Sequence, residues 1–296
     1  MKISDCLYPG LLASETFFPV LADEGRLTEL VKRVTEDGFY GRVEISAMKT
    51  PLGQRELRAL AARIPVTQWI TNDLNALQLN PSAVDNQLRK KTVAKMTELV
   101  DVAAESGADR VAVISCQDPG AALRTEAAKA LTDSLCETAL YARERGITVM
   151  LEPLDRGAHK NNFIGPTDEA VAILKQVHET CDNVLISWDA AHVALNGEDV
   201  VVSLDQAFDY VGQIHLANAV LDRSSSAFGD WHMAMGAPGF LTETVAAELA
   251  RCACRHLNGK RMAITIESRS ENADVMLEND RKNRDFLARV LEQEAL

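Results

Sequence analysis

The chain has 296 residues, of which 43 are acidic and 31 basic, for a formal net charge of −12, and 47% are hydrophobic. That length suits two small domains or one α/β barrel, which needs about 250 residues, and the apolar fraction suits a soluble globular protein with a sizeable core. A field this acidic repels phosphate backbones and anionic lipid, which argues against nucleic acid or membrane as partners.

The amino-terminal stretch has its apolar runs broken by Pro9, Glu15 and Pro19, so it makes neither a leader core nor a membrane span. The six cysteines lack a framework spacing. Cys252 and Cys254 form a C-x-C in a helical pattern, where i and i+2 do not face each other. Reduced thiols in a cytoplasmic protein are the expectation.

Eight strand-like runs follow one another, at 2–8, 40–46, 65–71, 109–115, 147–153, 183–189, 211–217 and 261–267. Stretches of helical period separate them, among them 84–106 and 121–145. Thr167 and Thr242 read as helix caps followed by acidic first turns, and Gly107 and Gly146 as helix stops. Alternating β and α elements, with strands too apolar to have a wet face, predict a parallel sheet covered by helices. Eight repeats with no G-x-G-x-x-G after a strand predict one domain over 1–296, a single (β/α)8 TIM barrel, rather than an open doubly wound sheet. The longest irregular region, 218–241, falls between the last two strands, where a rim loop acts as a lid or specificity element.

The last four runs, ITVMLEP, NVLISWD, VGQIHLA and MAITIES, each carry a polar residue at the downstream end: Glu152, Asp189, His215 and Glu267. Side chains alternate faces along a strand, and Met150/Glu152, Ser187/Asp189, Gln213/His215 and Thr265/Glu267 share one face. Rolled into a barrel, that face brings three carboxylates and an imidazole to the catalytic rim. Each residue alone has a plain structural explanation, such as a cap, a salt bridge or a buried histidine. Four of one parity instead predict a divalent metal site. The donors are mostly hard oxygens, which suits Mn²⁺, Mg²⁺ or Co²⁺ and admits Zn²⁺. Around them, His192 lies one turn past Asp189 and is read as a substrate contact or an orienting group. Glu44, with Arg42, ends the second strand on one face, and is read as reaching the pocket or as part of a buried ion pair. Trp188 has the outward parity of core packing, whereas Trp231 and His232 belong to the long loop, where an aromatic can cover a sugar face.

The pieces LEP (Glu152), SWDAAH (Asp189 and His192), QIHLAN (His215) and ITIES (Glu267) resemble the xylose isomerase-like barrel superfamily. Its ketose 3-epimerase, hydroxypyruvate isomerase and inosose dehydratase groups are similar in layout. The resemblance implies that Glu152 and Glu267 both bind metal and exchange protons with substrate, that Asp189 and His215 are plain ligands, and that His192 contacts substrate. Two positions depart from the 3-epimerase pattern. Ala158 stands where a substrate-binding glutamate is expected, and Leu221 where an arginine is, with Arg223 two residues later as the nearest substitute.

The expected function is thus a metal-dependent isomerase or epimerase of a sugar or sugar derivative, acting through an enediolate. A dehydratase of a keto-inositol or related sugar is the alternative on the same scaffold. Apurinic-site endonucleases resemble the barrel too, but they need a three-zinc cluster richer in histidine than this chain, which has six. The resemblance also implies a carbohydrate substrate and homo-oligomerisation through barrel helices.

Overall fold

The structure is a computed structural model that describes residues 1–295. Its main sheet is built from β1 (Leu7–Leu12), β2 (Arg42–Ser46), β3 (Val66–Trp69), β4 (Arg110–Ile114), β5 (Thr148–Glu152), β6 (Val184–Asp189) and β7 (Val211–Ala217). After the short strands β8 (Ala219–Val220) and β9 (Gly229–Asp230), β10 (Met262–Glu267) completes it. The order is β1-β10-β7-β6-β5-β4-β3-β2 in a closed barrel, while β8 and β9 pair by themselves. This is the (β/α)8 architecture expected from the sequence. Neighbouring strands are parallel wherever their register is defined, as strands joined by helical crossovers must be.

Seven runs match their strands to within one or two residues at each end. The first does not. Ile3–Asp5 is a short 3-10 turn, and β1 begins at Leu7 and continues through Pro9 and Gly10. Both residues disfavour strands, which hid the element. Pro9 still contributes its carbonyl, which accepts from Gly41 N at 2.8 Å. Thr242 caps helix Glu243–His256 as expected, accepting from Val245 N. Thr167, in contrast, is the first residue of helix Thr167–His178, with Pro166 in the cap position. The proline presets an extended approach, and Asp168 and Glu169 supply the negative charge that suits a helix start. Gly107 and Gly146 have positive φ, 77° and 68°, and terminate helices Asn86–Glu105 and Arg124–Arg143 as expected.

By its contacts the chain divides into two units, one formed by Met1–Glu44 with the residues from Trp188 onward, the other by Ile45–Ser187. In the first, β10 lies between β1 and β7, with Thr265 level with Gly10 on one side and His215 on the other. Every residue of β7 and of β10 is buried. In the second, β5 lies beside β4, with Glu152 level with Ile114, and beside β6, with Leu151 level with Ile186. Helices Asn86–Glu105 and Arg124–Arg143 pack on each other and bury Met96, Leu99, Leu131 and Leu135.

Candidate metal centre and active site

The parity read from the sequence is borne out within the first unit. Trp188 faces outward, and its Nε1 donates to Ser203 Oγ at 3.1 Å in the covering helix Val200–Ala207. The alternate residue Asp189 ends β6 and caps helix Ala190–Leu195, accepting from His192 N at 3.0 Å. That bond fixes the carboxylate rotamer. His215 and Glu267 come from β7 and β10, with His215 Nδ1 3.0 Å from Glu267 Oε2. Asp189, His215 and Glu267 each present a potential ligand atom, and these lie within 4.8 Å of one another. All three are buried or nearly so. Two oxygen donors and one imidazole nitrogen converging from different elements fit a divalent cation.

Glu44 supports this group from beneath. Its carboxylate accepts from Gln213 Nε2 at 2.8 Å and from Thr265 Oγ1 at 2.9 Å, and its Oε2 lies 3.0 Å from His215 Nε2. Both ring nitrogens of His215 face carboxylates, which only accept, so with a cation held beside Glu267 and Asp189 the Nδ1 atom would be the ligating nitrogen while Nε2 would donate to Glu44. Glu44 therefore orients the imidazole, and is completely buried while doing so. Gly10 makes this arrangement possible. A Cβ at Gly10 would stand 2.1 Å from Thr265 Oγ1, so only glycine lets Thr265 reach Glu44 there.

A second ring of charge joins His232 of the long loop to Glu15 and Asp230, which the sequence did not single out as site residues. Glu15, in the turn of helix Ala13–Thr16 after β1, lies 3.1 Å from His232 Nδ1 and 2.5 Å from Arg269 Nε. The same His232 nitrogen is 3.0 Å from Glu267 Oε1, and His232 Nε2 is 3.5 Å from Asp230 Oδ2. Asp230 also faces His192 Nε2 at 3.8 Å. Burial alone would keep His232 neutral, but Glu267, Glu15 and Asp230 outweigh it and raise its pKa to about 10. Burial likewise pushes Glu267 up, yet His232 and His215 prevail and hold its carboxyl well below the usual range. Glu15 follows the same pattern, with His232 and Arg269 overcoming its burial to lower its pKa. Glu267 is thus an anion, able to bind a cation or accept a proton.

The long loop delivers these groups. β8 and β9 form a small antiparallel pair that sets Ala219 opposite Asp230. Asp230 Oδ1 accepts from His232 N at 2.9 Å, and His232 takes a left-handed φ of 52°. Asn218 staples the rest, donating from Nδ2 to Ala234 O at 2.8 Å and Gly236 O at 2.7 Å and accepting from Leu241 N at 2.8 Å. No periodicity signals such a fold-back. The pair of Asn218, just past β7, and Gly239 was the available clue, since a Cβ on Gly239 would stand 2.2 Å from Asn218 Oδ1.

His192 is buried, with Nε2 4.0 Å from Asp189 Oδ1. Trp231 is 59% exposed, its Nε1 donating to Phe228 O at 3.1 Å, and it lines an open cavity of about 500 Å³ with His232, Met233, Arg269 and Lys282. Arg223 is exposed, its guanidinium 5.1 Å from the Phe228 ring centroid. Glu152, in the second unit, ends β5 and is buried.

A closed parallel barrel carrying carboxylates and an imidazole at the carboxyl ends of its strands defines the class of (β/α)8 proteins with a potential metal centre at the catalytic rim. The profile of the xylose isomerase-like TIM barrel family matches residues 19–251, and the chain belongs to that family. It is also similar to a 2-oxo-tetronate isomerase from Cupriavidus necator, 27% identical over 111 residues, which are 38% of this chain and 42% of that relative. The match thus spans less than half the length of the relative. Among solved structures, the IOLI protein with a bound zinc atom aligns with a TM-score of 0.70 at 16% identity, over 98% of each chain. A D-allulose 3-epimerase from Methylomonas sp. aligns with a TM-score of 0.68 at 19% identity, over 97% of this chain and 96% of the other. At these identities the structural likeness shows the fold. Among the described residues no helix is long and apolar enough to cross a membrane.

Proposed function

We propose that the chain is a divalent-metal-dependent isomerase or epimerase of a sugar or sugar derivative. Glu152, Asp189, His215 and Glu267 are its metal ligands, and Glu152 and Glu267 its proton-transfer pair. The observation that carries this reading is the convergence of Asp189, His215 and Glu267, with the Glu44 carboxylate 3.0 Å from Nε2 of the same imidazole. Glu152 is the fourth ligand by the strand-end pattern of the sequence, and it is buried at the end of β5.

When bound, the metal supplies Lewis-acid stabilisation of negative charge developing on substrate oxygens. The donor set suits Mn²⁺, Mg²⁺ or Co²⁺, and Zn²⁺ fits it as well. Glu267, ionised and buried, takes or returns a proton on carbon. Glu152 serves the same role from its own strand, so that removal by one and return by the other passes through an enediolate. Return to the same carbon inverts it, and return to the adjacent carbon isomerises the sugar. His192 stands one turn from Asp189, where it can hold a substrate hydroxyl. Trp231 and Arg223 are read as substrate contacts contributed by the long loop. The similarity to a 2-oxo-tetronate isomerase makes a short oxo sugar acid the first substrate to try, ahead of free ketoses.

Metal analysis tests the reading. Stripped protein reloaded with Mn²⁺ should bind one ion in this site, with the Asp189→Asn and Glu152→Gln variants binding it far more weakly. Unchanged affinity in both variants would remove the metal centre, and the mechanism with it.

A further inference from the structure

Helices Val200–Ala207 and Glu243–His256 pack side by side in the first unit, and their contact holds a second cluster with metal-ligand chemistry. Cys252 and His256 are four residues apart on one helix, which places both side chains on one face. Asp205 of the neighbouring helix lies against both. His256 Nε2 is 2.8 Å from Asp205 Oδ1, and Cys252 Sγ is 3.8 Å from the same oxygen. One atom from each of the three lies within 4.8 Å of the others. Cys252 and Cys254 are adjacent in the C-x-C of the sequence but do not face each other on a helix. The helix geometry replaces Cys254 with His256.

We propose that Asp205, Cys252 and His256 form a three-ligand zinc site, with water as the fourth ligand. A thiolate, an imidazole and a carboxylate together select Zn²⁺ over Mg²⁺ or Mn²⁺. The set differs in kind from the rim ligands, none of which is sulfur. Tetrahedral zinc needs about 2.3 Å to sulfur and about 2.0–2.1 Å to nitrogen and oxygen, so an ion between these atoms requires only small side-chain movements. The imidazole is already positioned, its ring stacked on Phe208 with centroids 4.7 Å apart and planes 20° from parallel. Cys252 is buried, while Asp205 and His256 have side chains 51% and 32% exposed, which leaves an entry path and room for the water. Arg255 also pairs with Asp205, 3.7 Å away, but it is half exposed and can swing into solvent.

Cobalt serves as the probe, because a thiolate bound to Co²⁺ gives a sulfur-to-metal charge-transfer absorption that oxygen and nitrogen ligands do not. The full-length protein, stripped of metal, is titrated with Co²⁺ past the equivalents taken up by the rim site. The wild type should show the charge-transfer band, and added Zn²⁺ should bleach it. Cys252→Ser and His256→Gln should each lose or sharply weaken the band, while Cys254→Ser keeps it. Far-ultraviolet circular dichroism confirms that each variant is folded. A folded wild type without the band, or a band that survives in Cys252→Ser or His256→Gln, overturns the proposal. Failure of the rim site to bind metal leaves this readout unaffected.

Discussion

The carboxylate of Glu44 lies 3.0 Å from Nε2 of His215, while Nδ1 of the same ring lies 3.0 Å from Glu267. One imidazole is thus clamped between an orienting carboxylate and a ligating one. Partners that fix the tautomer of a metal-bound histidine contribute about 10–100-fold in metal affinity. Glu44→Gln should therefore bind Mn²⁺ about 10–100-fold more weakly, with the fold retained. Calorimetric titration of the stripped protein measures it, and affinity equal to wild type would mean that Glu44 has no orienting role.

Gly10 should matter for the same reason although it carries no side chain. A methyl group there collides with Thr265 Oγ1, and Thr265 is one of the donors to Glu44. Overpacking of this kind costs about 1–3 kcal/mol. Gly10→Ala should lower the urea midpoint accordingly and also weaken metal binding. A variant of wild-type stability would show that β1 shifts freely at this position.

The proton-transfer roles are separated from metal binding by measuring each variant at a metal concentration that saturates it. Glu267→Gln and Glu152→Gln should each reduce turnover by about 10²–10⁴-fold, the usual contribution of a positioned acid or base. Both should still bind substrate in equilibrium measurements. If either retains near-normal rates, its assignment as acid or base is wrong.

In metal-free protein, His232 should make stability fall in alkali. Its folded pKa is raised from 6.5 to about 10, so its contribution is fully present below pH 6.5 and is lost as pH rises through 10. Urea denaturation of stripped wild type across that range should show a decline that His232→Gln lacks. Parallel pH profiles for the two proteins would contradict the ion-pair assignment with Glu267 and Glu15.

The sequence revealed the site on the strands better than on the loops. His215 and Glu267 were legible because a strand's two-residue period assigns faces without knowledge of the tertiary fold, and the outward position of Trp188 followed from the same rule. Glu44 was seen on the correct strand, though it lies at the middle of β2 rather than at its end. Its bond to His215 was not, because β2 and β7 are far apart in sequence and β1 and β10 lie between them. Glu15 and Asp230 were missed, and His232 was seen only as part of the long loop. They sit in a short turn and in a loop held by Asn218, and such connections carry no period to read. β1 was misplaced because Pro9 and Gly10 mask a strand whose glycine is required by Thr265 on the neighbouring strand.

The most direct test of the central claim is proton NMR in D₂O with metal-reconstituted protein and a panel of ketoses and short oxo sugar acids. The account predicts deuterium exchange at the carbon next to the carbonyl, with no loss of water, and abolished by Glu267→Gln. Loss of a hydroxyl would instead assign a dehydratase. Absence of exchange for every substrate with every divalent metal would contradict the account.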